Sequence, residues 1–362
     1  MITSFFNLNR KQYLIVLSLI WIIVQIIMFN IFGFKTGFEG MKYQEDAQQI
    51  LNSFSFNPVR IFFSAYSLLI ALFLKLNIGL KGVILLQVIY SYITVNLLFK
   101  LSEMLLGKPI FAFYTTLVFI ITPQLQMWNM HLYTESIFIN SLVVFSYFVF
   151  SFKGRNADYI KIISLLILLS FQRPIGIAAS LPAIIYFLLQ RKYYQINTIK
   201  IVSFLGLILI VHFSLTLLNL SNFDEFFFAT KGQFSLIGGY NALQMPSENQ
   251  VIPLVFFKAM IYKTFYLFSM WRPYFSGLHN FVQIIFSIIY IPAIFGLYTM
   301  FKENKSAFYY FFLFAGGYSF LFVITYVNYH CRYVTSILPF IIIISGFGVK
   351  SMVNFYLRNN NL

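Results

Sequence analysis

The chain alternates between long apolar runs and short polar interruptions. The first run, from Tyr13 to Phe32, follows Arg10 and Lys11 and reaches the roughly 20 residues that a helix needs to cross a bilayer. It is too long for the apolar region of a signal peptide and no small-residue cleavage site follows it, so it predicts a first transmembrane helix. Further apolar runs are Val83–Phe99, Ile110–Thr122, Ser136–Phe152, Ile160–Phe171, Ile175–Leu189, Ile199–Asn219, Phe281–Phe301, Ala307–Asn328 and Val334–Val349. The pattern predicts an all-α integral membrane protein with about ten transmembrane helices.

Two more stretches, Val59–Leu74 and Val251–Met270, are apolar enough to leave open whether they cross the membrane. If only the first crossed, the basic loops at Lys100–Lys108, Lys153–Lys161 and Arg191–Lys200 would lie outside, against the positive-inside bias. If neither crosses, 14 of the 25 basic residues fall in short cytoplasmic segments. We therefore expect both termini in the cytoplasm, and both stretches as interfacial helices in the first and fourth outer loops.

Composition excludes a soluble protein as the main interpretation. The 362 residues are 60% apolar and 10% charged, whereas a soluble domain is about 45–50% apolar and about 25% charged. The net charge of +15 then indicates loop orientation rather than binding to nucleic acid. One cysteine, Cys331, allows neither a disulfide framework nor a thiolate metal cluster. Because no linker or low-complexity tract interrupts the runs, residues 1–362 are expected to form a single membrane domain.

Acidic residues form the first two polar clusters on the expected outer side. The first loop carries Glu39 beside Gly40, and then Glu45 and Asp46, which are typical of the solvated face of an amphipathic helix. The second cluster ends in Thr134-Glu135, directly before an apolar run. Its structural interpretation is a threonine N-cap followed by a carboxylate that suits the helix dipole. Its functional interpretation is a polar rim around the same cavity as Glu39.

Arginines mark the other two clusters, Arg173-Pro174-Ile175-Gly176 and His330-Cys331-Arg332-Tyr333. The structural alternatives are a snorkelling arginine at a proline turn, an interfacial anchor flanked by tyrosine, and a structural histidine. A charge at the membrane edge is nevertheless a functional candidate, because leaving it unpaired there is costly. Arginine also binds phosphate oxygens bidentately. The combination suits a site that holds a lipid phosphate and uses a carboxylate as a base.

These motifs, in this order, resemble those of the polyprenyl-phosphate-sugar-dependent membrane glycosyltransferases of the C-type fold. That superfamily includes protein O-mannosyltransferase-like and lipid A aminoarabinose transferase-like enzymes. The matching positions are Glu39, Tyr43 and Ala47 at spacings of four, Asn57-Pro58, Leu106-Gly107-Lys108-Pro109, Thr134-Glu135, Arg173-Pro174 with Gly176, and Arg332-Tyr333 with Pro339. The family usually has aspartate at the first of these positions, so Glu39 is a departure from its pattern. The resemblance covers most of the first 190 residues and the last 35.

The resemblance implies an inverting transfer of a sugar from a polyprenyl-phosphate donor to an acceptor hydroxyl. Glu39 would act as the general base, and Arg332 and Arg173 would stabilise the leaving phosphate. Glu135 would be a second catalytic carboxylate, orienting the acceptor or sharing a divalent cation with Glu39. The implied substrate-binding residues are Tyr43, Arg173, His330, Arg332 and Tyr333.

The implied partners are the lipid-linked donor, a lipid, glycan or protein acceptor, and membrane lipids, with no nucleic acid. The implied location is the bacterial inner membrane, with the site facing the periplasm or exterior. One alternative is a polysaccharide polymerase or O-antigen ligase-like enzyme that uses a diphosphate-linked glycan. Another is a transporter of lipid-linked sugars, for which His212 is the plausible titratable group near the midplane.

Overall fold

The computed structural model is helical almost throughout the part of the chain that it describes. The described residues are 8–37, 39–194, 235–237, 240–242, 260–261, 263–269, 275–325 and 332–359, with isolated positions between 203 and 214 and at 271. The strands among them form one short antiparallel hairpin, β1 Ser235–Ile237 with β2 Tyr240–Ala242. Apart from this hairpin, the described residues agree with the predicted all-α class.

Most of the helices follow the apolar runs of the sequence, and the polar segment Glu39–Ser53 adds one more. Those of the first half are α1 Arg10–Phe32, α2 Glu39–Ser53, α3 Ser64–Lys75, α4 Gly79–Leu106, α5 Pro109–Ile121, α6 Pro123–Gln126, α7 Thr134–Phe150, α8 Asn156–Gln172 and α9 Ser180–Tyr194. Those of the second half are α10 Gly277–Ser287, α11 Tyr290–Glu303, α12 Lys305–Thr325 and α13 Leu338–Asn359. Short 3-10 helices lie at Pro58–Phe63, Met127–Met130, Pro174–Ala179 and Val334–Ser336.

Glycine and proline set the break between α4 and α5. Gly107 ends α4 in the left-handed conformation with a φ of 76°, which costs glycine little because it has no Cβ. Pro109 then occupies the first turn of α5, where its missing N–H leaves no hydrogen bond unmade. The sequence Leu106-Gly107-Lys108-Pro109 therefore ends one helix and begins the next within four residues.

In the described residues, five helical segments are long and apolar enough to cross a membrane, with α10 and α11 counted together as the single segment Gly277–Glu303. A sixth span results if α5 and the Pro123–Met130 segment, which meet at a 64° bend, count as one. The helices α7 and α9 are apolar but shorter. This confirms the membrane class, whereas the predicted count of about ten remains a prediction. Most of the predicted run Ile199–Asn219, with His212, and most of Val251–Met270 lie outside the described residues.

Two predicted runs differ in their bounds from the observed helices. The run Val83–Phe99 is the middle of the 28-residue helix α4, which the polar residues at its two ends continue. The run Phe281–Phe301 is divided between α10 and α11.

Ion pairs show which helix ends lie together. Arg10 at the start of α1 contacts Glu103 near the end of α4, with 3.2 Å between Nε and Oε2. Lys350 of α13 contacts Glu303 at the end of α11, with 2.7 Å between Nζ and Oε2. At the other end of α1, the backbone of Lys35 bridges to His131, just before α7. The bundle therefore has an end that carries α2, called here the α2 end, and an opposite end.

A two-helix layer of α2 and α3 covers the α2 end. Its buried side chains form one apolar cluster with the first turns of α4 and α7: Tyr43, Ala47, Ile50, Tyr66, Ile70, Ala71, Val83, Ile84, Leu132 and Ile137. Burial of apolar surface on this scale is what keeps both helices on the bundle. This layer brings Glu39, in the first turn of α2, above the ends of the long helices.

Candidate active site

A buried ion-pair cluster joins four distant parts of the chain at the α2 end. Glu135, in the first turn of α7, is completely buried. Its Oε1 accepts a hydrogen bond from Nη1 of Arg173 at 3.1 Å and another from Nε of Arg332. Nη2 of Arg332 also donates to Oε2 of Glu39 at 2.5 Å, across 293 residues of sequence. The guanidinium of Arg332 thus bridges two carboxylates.

Charge balance explains why this cluster is tolerated between apolar helices. The two arginines are largely buried, and the two carboxylates compensate their charge. A buried charge without such a partner costs roughly several kcal/mol. Each member of the cluster therefore stabilises the buried positions of the others.

Position 176, three residues after Arg173, accepts only glycine because the backbone there packs closely against α8. Arg173 follows α8, and Pro174 begins the next 3-10 helix, in which the N–H of Gly176 donates to the carbonyl of Arg173 at 2.8 Å. A Cβ on Gly176 would lie 1.9 Å from the carbonyl oxygen of Leu169. The close approach of this turn to α8 therefore fixes where the Arg173 side chain begins.

A cavity of about 240 Å³ lies against the cluster. Its lining residues are Glu39, Lys42, Tyr43, Arg60, Phe63, Arg173, Pro174, Ile175, Phe322, Arg332 and Tyr333. Four of these side chains are cationic and one is acidic. Because an electropositive wall in a concave site attracts anions, the cavity is suited to a phosphate or carboxylate group.

Aromatic rings hold the arginines and border the cavity. The Arg173 guanidinium carbon lies 5.7 Å from the centre of the Tyr333 ring, and that of Arg332 lies 5.4 Å from the Tyr133 ring. Both distances are typical of cation–π contacts. Burial, followed by the charges of Glu135 and Glu39, raises the pKa of the Tyr43 hydroxyl well above its usual range. Tyr43 therefore remains a neutral phenol that can donate a hydrogen bond into the cavity.

The structure brings most of the predicted site residues together. Glu39, Tyr43, Arg173, Arg332 and Tyr333 line the one cavity. The predicted residue His330 lies outside the described residues.

Glu135, predicted as a second catalytic carboxylate, is not among the described residues that line the cavity. It contacts Arg173 and Arg332 and has no exposed side-chain surface, so in this structure it holds the arginines, and its catalytic role stays a prediction. Its neighbour Thr134 does not cap α7, whose N-cap is Tyr133 without a side-chain hydrogen bond.

The pair Asp46–Arg60 was missed by the sequence interpretation. Asp46 was predicted to be an ordinary surface acid, which is wrong, because its side chain is 5% exposed and receives Arg60 bidentately. The signal was present in α2, where Tyr43, Asp46, Ala47 and Ile50 recur at helical spacing on one buried face. Arg60 follows Pro58 at the start of a predicted apolar run, where nothing in the local sequence marks it.

The two carboxylates do not fit a divalent cation in this arrangement. Both already accept hydrogen bonds from Arg332, and Glu135 also from Arg173, so a dication between them would meet two guanidinium charges. Within the described ranges, no group of three His, Cys, Asp or Glu residues is arranged to hold a metal ion.

Comparison with known proteins adds no assignment. A scan against models of protein families finds no match to this chain, and a search of curated proteins finds none either.

Proposed function

We propose that this chain is a membrane glycosyltransferase that moves a sugar from a polyprenyl-phosphate donor to an acceptor hydroxyl. The observation that carries the proposal is the cavity at the α2 end, where Glu39, Arg173 and Arg332 meet against a largely cationic wall. A phosphate at the end of apolar helices is the ligand that such a wall would recognise. The resemblance to the C-type fold family supports the same reaction.

In this proposal the α2 end faces the outside of the cell. The support is the distribution of basic residues, since the loops and helix termini of the opposite end carry an excess of them, as cytoplasmic segments do. They include Arg10, Lys11, Lys108, Lys153, Arg155, Lys302, Lys305 and Lys350.

Arg332 and Arg173 would hold the donor phosphate, whose negative charge grows as it leaves. Both guanidinium groups are positioned before any substrate binds, by Glu135 on one side and by aromatic rings on the other. Preorganised donors of this kind stabilise developing charge without reorganising during the reaction. Glu135 is then a positioning residue rather than a catalytic one.

Glu39 would act as the general base. Its side chain is 38% exposed and reaches the cavity, where a hydroxyl can approach it. The acceptor oxygen attacks the anomeric carbon, the carbon–oxygen bond to the phosphate breaks with its electron pair on the phosphate, and the hydroxyl proton passes to Glu39. Because Arg332 binds Glu39 in this structure, a phosphate that takes over that guanidinium would release the carboxylate for proton transfer.

The test is a transfer assay with the purified chain and a panel of polyprenyl-phosphate sugars. We expect Glu39→Gln to lower the rate by about 10²–10⁴-fold, the usual contribution of a general base, while the protein still folds and inserts. Glu303→Gln is the matched control, since Glu303 lies at the opposite end of the bundle and its side chain is 41% exposed. Full activity of Glu39→Gln would remove Glu39 from the mechanism. A wild-type chain that transfers no sugar from any donor of the panel would contradict the proposed function.

A further inference from the structure

A second cavity, of about 520 Å³, lies between α11 and α12 and takes no part in the proposed reaction. Ile294 and Leu297 of α11 line this α11–α12 cavity, together with Phe312, Gly316 and Phe320 of α12. None of its described lining residues is charged. Ile294, Phe312 and Phe320 are 68%, 49% and 63% exposed, so the cavity opens on the surface of the bundle. Because both helices belong to segments that can cross a membrane, we expect this opening to face lipid.

Two lysines lie at the junction of α11 and α12, at the opposite end of the bundle from α2. Nζ of Lys302 lies 4.4 Å from the centre of the Tyr298 ring, and Nζ of Lys305 lies 5.8 Å from the centre of the Phe301 ring. Both distances are typical of cation–π contacts. Tyr298 and Phe301 are three residues apart on α11, so the two ammonium groups lie over one face of that helix.

The junction carries positive charge that no acid in the described part of the chain neutralises. Glu303, which lies between the two lysines in sequence, pairs with Lys350, with 2.7 Å between Oε2 and Nζ. Among the described residues, no ion pair includes Lys302 or Lys305. Lysines in this position, beside apolar helices that cross the membrane, are suited to the headgroup of an anionic lipid.

A row of neighbouring aromatic rings connects the lysines with the α11–α12 cavity. The centre of the Phe301 ring, under Lys305, lies 5.1 Å from the centre of the Phe308 ring. The Phe308 ring in turn stacks on that of Phe312, with 5.4 Å between their centres. Phe312 itself lines the cavity. The cations and the cavity are therefore two parts of one continuous surface along α11 and α12.

The distances along α12 match the depth of one leaflet of a bilayer. Phe312 and Gly316 lie seven and eleven residues after Lys305. At 1.5 Å of rise per residue, these separations are about 10 Å and about 16 Å. Half of the hydrocarbon core of a bilayer is about 15 Å thick. An acyl chain whose phosphate lies at the lysines therefore reaches the α11–α12 cavity.

We infer that this surface binds an anionic phospholipid from the leaflet at the opposite end of the bundle. The lipid phosphate contacts Lys302 and Lys305, and one acyl chain occupies the α11–α12 cavity. The donor of the proposed reaction is a different molecule, because its phosphate lies at the α2 end. The inference therefore holds whether or not the chain transfers a sugar.

The test is native mass spectrometry of the full-length chain, purified in detergent and titrated with dioleoylphosphatidylglycerol or with zwitterionic dioleoylphosphatidylcholine. We expect one phosphatidylglycerol per chain to bind about tenfold or more tightly than phosphatidylcholine. The double variant Lys302→Gln/Lys305→Gln should lose about tenfold in affinity for phosphatidylglycerol. Its control is Lys161→Gln. Lys161 also lies over an aromatic ring, at 5.1 Å from that of Phe148, but it belongs to α8, which contributes none of the described lining residues of the cavity.

A second pair of variants tests the cavity. Gly316→Leu places a side chain in it, and a Cβ at this position has no neighbour within 4 Å, so the variant is expected to fold. It should weaken the binding of phosphatidylglycerol about tenfold by excluding the acyl chain. Gly317→Leu is the matched control, because a Cβ there also has no neighbour within 4 Å, whereas Gly317 is not among the described residues that line the cavity.

The inference is overturned if phosphatidylcholine binds as tightly as phosphatidylglycerol, or if the lysine variant or Gly316→Leu binds phosphatidylglycerol as the wild type does. It is also overturned if farnesyl phosphate binds with a sensitivity to Gly316→Leu and displaces the phospholipid, since the cavity would then hold the chain of the donor. If Gly316→Leu does not fold, the lysine variant decides alone. None of these measurements uses sugar transfer, so a failed transfer assay and a failed lipid site are separate outcomes.

Discussion

At the scale of single residues, the site depends on the buried carboxylate of Glu135, which binds both Arg173 and Arg332. Oε1 of Glu135 accepts from two arginines that are 38 and 197 residues away in sequence. Because Arg332 also reaches Glu39, the two arginines and the two carboxylates compensate one another's charge. Substitution at Glu135 should therefore affect folding before it affects chemistry.

Glu135→Gln is expected to lower the free energy of unfolding by about 3–5 kcal/mol, the usual cost of removing one partner from a buried ion pair. The change leaves two largely buried guanidinium groups facing only the half-buried Glu39. Thermal unfolding of the purified protein in detergent measures the effect.

Glu303→Gln is the control for that substitution. Glu303 forms an ion pair with Lys350, but its side chain is 41% exposed, and exposed pairs contribute about 0–1 kcal/mol. Equal midpoints for the two variants would show that the buried cluster does not stabilise the fold.

At the scale of secondary-structure elements, two kinds of contact fix the helices. Close backbone packing joins α11 to α13, where a Cβ on Gly296 would lie 1.9 Å from the carbonyl of Ile344 and one on Gly348 would lie 1.8 Å from that of Pro292. Small residues allow such approaches between helices in membranes.

Buried amides supply the second kind of contact. The side chain of Asn129 donates to Gln25 of α1 and to Ser91 of α4, and accepts a 2.6 Å hydrogen bond from Ser136 of α7. Unmade hydrogen bonds are costly in an apolar interior, so this network holds the first turn of α7, and with it Glu135, in place.

Gly348→Ala is expected to destabilise the protein by about 1–3 kcal/mol, because the added methyl group must push α11 and α13 apart. The matched variant Gly316→Ala lies on α12, where a Cβ would have no neighbour within 4 Å. Thermal unfolding of the two variants side by side makes the comparison. If both unfold at the same temperature, the helices are not packed as closely as described.

At the scale of the whole molecule, the two ends of the bundle differ in chemistry. The α2 end carries the cavity and the α2–α3 layer, whereas the opposite end carries the ion pairs Arg10–Glu103 and Lys350–Glu303. The proposed orientation follows from this difference, and it can be tested without any substrate.

Single cysteines introduced into a Cys331→Ser background should report that orientation. In intact cells, we expect Lys75→Cys, at the α2 end, to react with a membrane-impermeant maleimide. Ala157→Cys, at the start of α8, should react only after permeabilisation, because the basic loops are expected to face the cytoplasm. The reverse pattern of labelling would place the cavity in the cytoplasm and contradict the proposed reaction with an external donor.

The class of the protein and five of the eleven residues that line the cavity follow from the sequence alone. Apolar runs predict helices because burial in lipid and helical hydrogen bonding are local requirements, and scarce charges beside such runs are conspicuous. That reasoning identified Glu39, Arg173 and Arg332 before any contact between them was known. It could not place them relative to one another.

Tertiary packing determines which charges are paired and which reach the cavity. It buries Glu135 against two arginines and joins Asp46 to Arg60, although the sequence suggested a catalytic carboxylate and a surface acid. The reason is physical: the environment of a side chain depends on elements that pack against it from far along the chain. The contact between Arg332 and Glu39 spans 293 residues, and no local pattern encodes a contact at that distance.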